Sequence, residues 1–308
     1  MQADQQAALD AISAALHAGR HEQFLLFGVT GSGKTEVYIR AIDEVVARGR
    51  QAIVMVPEIS LTPQTRQRFR ARFDRVAVLH SHMTDSERSW HWERIAAGGI
   101  DVVVGARSAV FAPTPSLGLI VIDEEHEGSF KQEQTPRYHA RAAAAFRTRA
   151  ANAPLVLGSA TPSLESWHAA RSGAVRLLEM PRRVMSRPLP AVRVVDLCQE
   201  RASRSPGAIG RPLFQAMRQT LADDGQVILL LNRRGFSTHI QCHACGEALH
   251  CPHCDIALTH HRDAELAICH YCDYREPLRS TCPNCDMPGL NYGGLGTQKL
   301  ESEVRARI

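Results

Sequence analysis

Residues 5–18 (QQAALDAISAALHA) space their apolar positions as the buried stripe of an amphipathic helix does. The run Phe24-Leu25-Leu26-Phe27 then predicts a buried strand, followed by a glycine-rich turn and a helix reaching about Ala47. The alternation continues with strands near 52–56, 76–80 and 101–104, and helices near 63–72 and 85–97. Two more apolar runs follow at 117–122 and 154–158. Short apolar strands alternating with helices imply an α/β class with a parallel sheet covered on both faces. One such domain is expected over residues 1–180. Residues 181–211, with Pro181, Pro188, Pro190 and Pro206 among scattered Arg and Ser, read as an irregular connector. A second α/β unit is expected over 212–240 and 291–308, opening with a helix at 212–222 and a strand at Gln226–Leu231. The cysteine-rich stretch 241–290 interrupts it.

Composition narrows the class. Of the 308 residues, 44% are hydrophobic and 22% charged, the balance of an ordinary globular protein. No apolar run approaches the roughly 20 residues needed to span a bilayer, and Met1-Gln2-Ala3-Asp4-Gln5 has no signal-peptide character. A cytoplasmic protein without a membrane partner is therefore expected. A net charge of +4 does not by itself argue for nucleic acid. Lysine occurs only at Lys34, Lys131 and Lys299, and the first of these stands where a phosphate loop requires it.

Gly28-Val29-Thr30-Gly31-Ser32-Gly33-Lys34-Thr35 matches GxxxxGK[ST] between a predicted strand and a predicted helix, the context that motif needs. Its glycines let backbone N–H groups wrap phosphates, and the helix N-terminus favours their charge. Lys34 is expected to reach the β- and γ-phosphates of ATP, and the Thr35 hydroxyl to bind Mg²⁺. Leu119-Ile120-Val121-Ile122-Asp123-Glu124-Glu125-His126 delivers carboxylates at a strand end, with Asp123 a Mg²⁺ ligand through water and Glu124 the base for an attacking water. In Gly158-Ser159-Ala160-Thr161-Pro162 the hydroxyl residues either sense the γ-phosphate or merely cap a helix starting near Ser163. Arg66, Arg68, Arg70, Arg72 and Arg75 read as a solvated helix face.

Cys198 stands alone, whereas Cys242, Cys245, Cys251, Cys254, Cys269, Cys272, Cys282 and Cys285 form four CxxC units. In a cytosolic chain such units indicate metal rather than disulfides, and four of them supply two closed four-sulfur Zn²⁺ sites. Spacing alone leaves open which units share an ion. With the sulfurs complete, His243, His250, His253 and His270 read as surface residues.

Taken together, these motifs resemble superfamily 2 helicases. Several segments narrow the resemblance: Phe27 to Tyr38, Val56-Pro57-Glu58-Ile59-Ser60-Leu61-Thr62-Pro63-Gln64, Gly105-Ala106-Arg107-Ser108-Ala109, Asp123-Glu124-Glu125-His126, Lys131 to Tyr138 and Leu231-Asn232-Arg233-Arg234-Gly235. They are similar to the family of PriA replication-restart helicases (primosomal protein N′). The resemblance implies a RecA-like ATP-binding lobe, the start of a second such lobe with the zinc module inserted, and 3′→5′ DNA unwinding that reloads replication at stalled or recombined forks. It assigns Gln5 to adenine and the phosphate loop (Gly28, Val29, Thr30, Gly31, Ser32, Gly33, Lys34, Thr35) to ATP. Arg107 and residues 57–64 fall to the single-stranded DNA backbone, and Arg137, with Phe130 and Tyr138 as stacking surfaces, to a loop coupling DNA contact to hydrolysis. It nests the zinc ligands, Cys251, Cys254, Cys269 and Cys272 on one ion and Cys242, Cys245, Cys282 and Cys285 on the other. Its partners are single-stranded and forked DNA, other primosome proteins and single-stranded-DNA-binding protein, in a bacterial, nucleoid-associated setting. The family's N-terminal DNA-binding region and the second-lobe Q-x-x-G-R-x-G-R arginines have no counterpart here. The expectation is therefore a fragment that binds ATP·Mg²⁺ and, alone, hydrolyses and unwinds poorly. The competing classes are another superfamily 2 translocase and a non-catalytic zinc and DNA interaction module.

Overall fold

The computed structural model describes residues 1–184, 190–195, 209–231, 240–242, 244–261, 265–291 and 297–307, with backbone only at 261, 291, 297–299 and 302. Cys198, His243, Pro188, Pro206, the Asn232-Arg233-Arg234-Gly235 stretch and the glycines at 293, 294 and 296 lie outside the described residues. The chain divides into two compact units, Met1–Pro190 and Ala191–Ile308.

In the first unit α1 (Ala3–Ala18) ends at Gly19, whose φ of 57° closes the helix as only glycine does readily. Then come β1 (Gln23–Gly28), α2 (Lys34–Ala47), β2 (Gln51–Met55) and α3 (Pro63–Arg70), which Thr62 caps and Pro63 opens. Next are β3 (Val76–Leu79), α4 (Asp85–Ala96, with a Thr84/Glu87 capping box), β4 (Val102–Gly105) and β5 (Leu117–Asp123). A two-residue antiparallel pair, β6 (Lys131–Gln132) and β7 (Tyr138–His139), leads into α5 (Ala140–Ala150), β8 (Leu155–Ser159), α6 (Leu164–Arg171) and β9 (Arg176–Met180).

Seven parallel strands line up as β3-β4-β2-β5-β8-β1-β9. The two-residue strand period splits the core into two layers. Phe24, Leu26, Ala52 and Val54 face α1 and α2, while Leu25, Ile53, Met55 and Ile122 face Ile95 of α4 and Ala140 and Ala144 of α5. Two elements lie outside the apolar pattern read from the sequence. Strand β9 is an edge with only alternate residues buried, and α5 presents an alanine-rich face too short in side chain to register as apolar.

The second unit holds α7 (Arg211–Ala222), β10 (Gln241–Cys242), β11 (Thr259–His261), β12 (Leu266–Ile268), β13 (Arg275–Pro277), β14 (Leu290–Asn291) and α8 (Thr297–Arg307). Strand pairing here is antiparallel, β10 with β14 and β11-β12-β13. The Arg307 guanidinium sits 4.4 Å from the Phe214 ring centroid and donates to the Ile209 carbonyl at 3.0 Å, joining α8 to α7. The expected strand at Gln226–Leu231 does not form: Ile228 and Leu230 are each 94% exposed. A strand exists only when a neighbour takes up its backbone groups, and none lies beside this run among the described residues.

Candidate nucleotide and metal sites

The loop Gly28–Gly33 leaves the C-terminal end of β1 between β8 and β9, where ligands of open α/β sheets bind. Gly31 and Gly33 take φ of 80° and 86°, left-handed values that side chains resist. Gly28 is tightly enclosed as well: a Cβ there would stand 2.5 Å from Ser32 Oγ and 3.0 Å from the Met180 Cβ. Buried Lys34 opens α2 and donates from Nζ to the Gly28 carbonyl at 2.9 Å. The buried Ser32 hydroxyl has no hydrogen-bond partner, a donor spare for an anion.

The loop is held from three sides. Val29 N–H donates to the Met180 carbonyl at 3.3 Å, so the edge strand β9 anchors it. Gln5 donates from Nε2 to the Ser32 carbonyl at 2.9 Å and accepts from Gln2 N–H at 2.8 Å, which commits its carboxamide to bracing the loop. Beyond β9, Val184 N–H donates to the Gly31 carbonyl at 2.9 Å and Arg183 Nε to the Thr30 carbonyl at 3.1 Å. Arg182 pairs with Asp4 of α1. Sequence reading placed residues 182–184 in the irregular connector and gave them no role at the site.

Across the sheet, β5 ends at Asp123. Burial, then the neighbouring Glu124 carboxylate, raise its pKa above the ordinary 3.8. Tyr38 of α2 donates its hydroxyl to Asp123 Oδ1 at 3.1 Å. Glu124 turns with φ 50°, a left-handed conformation at the strand end. Lys34, Thr35, Asp123 and Glu124 share an open cleft of ≈ 510 Å³ with Thr30, Gly31, Gly33, Glu36, Ile39, Arg68 and Val184. Arg68, read from the sequence as part of a solvated helix face, is exposed and also lines this cleft.

His126 ties this cleft to β8: its ring contacts Ser159 Oγ at 2.8 Å, Thr161 Oγ1 at 3.4 Å and Glu124 Oε2 at 3.6 Å. The helix cap is Ser163, which accepts from Ser166 N–H, so Ser159 and Thr161 are left for the His126 contact. Glu125 was named only as part of its motif, yet its buried side chain pairs with Arg141 at 3.1 Å and accepts from Ser163 N–H, Ser163 Oγ and Ser166 Oγ.

A second cleft of ≈ 460 Å³ at the ends of β2, β3 and β4 is lined by Glu58, Ser81, Arg88, Arg107, Ser108, Ser129, Gln132 and Tyr138 among others. Arg107 donates to the carbonyls of Ser129 (3.0 Å) and Lys131 (2.7 Å). Arg137 and Tyr138 also line a neighbouring cleft of ≈ 590 Å³. Phe130 is corrected: at 1% exposed it packs in the core layer that faces α4 and α5 and offers no face to a base. Tyr138 packs edge-on against Phe111 at 5.0 Å, and Arg88 joins as a cation that spacing did not reveal.

In the second unit the thiols gather as Cys242, Cys245, Cys282, Cys285 and as Cys251, Cys254, Cys269, Cys272, the nested arrangement, with the sulfurs of each group within 4.8 Å of one another. The Cys242–Cys285, Cys245–Cys282 and Cys251–Cys272 sulfurs stand 3.6–3.7 Å apart. A tetrahedron with Zn–S of about 2.3 Å has edges of about 3.8 Å, so the donor set fits zinc. Backbone N–H groups of Cys272 and Tyr271 lower the Cys269 thiol to about 7, whereas the Cys254 thiol, hydrogen-bonded to Cys272, is raised to about 12. Four such sulfurs ionise together only around a cation.

A parallel sheet with a phosphate loop facing an Asp-Glu strand end has the architecture of a P-loop nucleotide-binding protein. The DEAD/DEAH box helicase family matches residues 2–169, and the chain belongs to that family. The PriA DNA helicase Cys-rich region (CRR) domain matches residues 251–277. The chain is similar to the replication restart proteins PriA of Bacillus subtilis (46% identity over 302 residues, 98% of this chain and 38% of that protein) and Treponema pallidum (45% over 304 residues, 98% and 45%). It is likewise similar to the PriA of Synechocystis (46% over 290 residues, 91% and 35%). It thus spans less than half the length of these relatives.

Proposed function

We propose that this chain is the ATP-driven motor segment, with its zinc module, of a replication-restart helicase that moves 3′→5′ on single-stranded DNA. The observation that carries this reading is the shared cleft of Lys34, Thr35, Asp123 and Glu124, with His126 linking Glu124 to Ser159 and Thr161. Lys34 would exchange the Gly28 carbonyl for the terminal phosphates, and Glu124 would take the proton of the attacking water. Thr35 and Asp123 would hold Mg²⁺, which neutralises charge on the transferring phosphoryl group. Gln5 braces the loop, and any contact with adenine would draw on the same carboxamide.

The cleft of Arg88, Arg107 and Tyr138 suits a DNA backbone, with Arg137 beside it. Arg107 grips the carbonyls of Ser129 and Lys131, a few residues past Glu124, which supports coupling between DNA contact and hydrolysis. The eight cysteines would hold two structural Zn²⁺. Forked DNA, other primosome proteins and single-stranded-DNA-binding protein are the proposed partners, and a nucleoid-associated cytoplasmic setting follows from them.

The test is ATP hydrolysis by zinc-loaded chain with and without forked DNA, beside Lys34→Ala. DNA-stimulated turnover that disappears in the variant supports the motor. Lys34-dependent ATP binding without turnover restricts this segment to the nucleotide-binding part. DNA binding with no ATP binding at all rejects the motor in favour of a zinc and DNA interaction module.

A further inference from the structure

Arg68 belongs to a run of five arginines over residues 66–75, of which Arg72 and Arg75 have structural employment. Arg72, just past the end of α3, forks onto the Asp43 carboxylate of α2 with contacts of 2.6–3.1 Å. Arg75 pairs with Asp101. Buried Phe69 fixes the rotation of α3 by inserting into the core layer that faces α1 and α2. Arg68 forms no hydrogen bond or ion pair among the described residues.

Its position follows from the helix register. The Arg72–Asp43 pair sets α3 alongside α2, and four residues before Arg72 is one helical turn. Arg68 stands before that pair on α3 and shares one cleft with Glu36 and Ile39 of the first half of α2. The cleft shows the same placement, with Arg68 lining it together with Lys34, Thr35, Asp123 and Glu124. The nearest acid on α2, Glu36, is already paired with Arg40 at 2.6 Å.

We infer that Arg68 is a phosphate-binding residue of the nucleotide site, its guanidinium engaging the polyphosphate of a nucleoside triphosphate from the α3 side of the cleft. The inference rests on the nucleotide-site reading above and adds a cation that no phosphate-loop motif contains. A planar fork of donors at a polyphosphate matches what arginine does and lysine does less well.

The test is calorimetric titration of the zinc-loaded chain with Mg·ATP, comparing wild type, Arg68→Ala, Arg68→Lys and Arg70→Ala at two salt concentrations. Arg68→Ala is expected to raise the dissociation constant about tenfold and to flatten its salt dependence, with Arg68→Lys restoring part of the loss. Arg70→Ala removes the same charge from the same helix outside the cleft and is expected to bind as wild type does. Undiminished affinity in Arg68→Ala, or an equal loss in Arg70→Ala, overturns the assignment, the latter by showing a general field effect. A wild-type chain that binds no Mg·ATP removes the nucleotide-site reading, and the assignment with it.

Discussion

At position 158 the sheet has no room for a side chain: a Cβ there would stand 1.5 Å from the hydroxyl oxygen of Tyr38. That hydroxyl donates to Asp123, so glycine on β8 is what lets α2 support the acid at the end of β5. Gly158→Ala is expected to cost about 1–3 kcal/mol of stability and to weaken Mg·ATP binding, read by thermal melting and titration; wild-type values for both would show that the helix shifts freely. Asp123 carries a pH consequence. Its pKa is raised by burial and by Glu124, so the folded chain holds that proton more tightly than the unfolded one. This contribution favours the fold below the ordinary 3.8 and is lost as pH rises through the higher folded value. Where Asp123 holds Mg²⁺ as proposed, protons compete with the ion for the same oxygens. The Tyr38 hydrogen bond opposes the rise, so Tyr38→Phe should move the acid loss of Mg·ATP binding to higher pH. An unmoved or lower midpoint would remove Asp123 from the metal site.

Among the elements, the four CxxC turns repeat one geometry. In each, the first cysteine N–H donates to the carbonyl five residues on (Glu247, Ile256, Tyr274, Met287) and its carbonyl accepts from the residue four on. That fourth residue, Gly246, Asp255, Asp273 or Asp286, has φ between 52° and 76°. The Gly or Asp directly after every CxxC was the signal in the sequence for this turn. Asp286, whose turn carries two ligands of the outer group, gives a clean test. Asp286→Gly should keep zinc affinity, whereas β-branched Asp286→Val should lose about 1–3 kcal/mol of it, measured by competition with a chromophoric chelator. Equal affinities would mean that the left-handed residue is incidental.

Across the whole molecule, the two units are stabilised by different means. The first has two apolar layers on a seven-stranded sheet, whereas the core of the second is built around Cys242, Cys251, Cys269 and Cys282 with a few aliphatic residues. Chelation is expected to release two Zn²⁺ per chain and expose residues 240–291 to protease, while residues 1–180 keep their melting transition and nucleotide binding. Loss of both units together would show that the metal stabilises more than its own module. By itself the sequence determined whatever a few consecutive residues can encode. The phosphate loop, the Asp-Glu strand end and the CxxC units place turn geometry and chemistry within eight residues, and period-two apolar runs mark interior strands. Only the tertiary structure decided what depends on strand order or on side-chain direction. Tyr38 and Asp123 are 85 residues apart and meet because β5 and β8 are neighbours over α2. Glu125 finds Arg141, Ser163 and Ser166, and Arg68 enters the cleft, for the same reason. Phe130 turned inward, and the apolar run 226–231 formed no strand, because an aromatic ring's facing and a strand's pairing are set by neighbours that local pattern does not name.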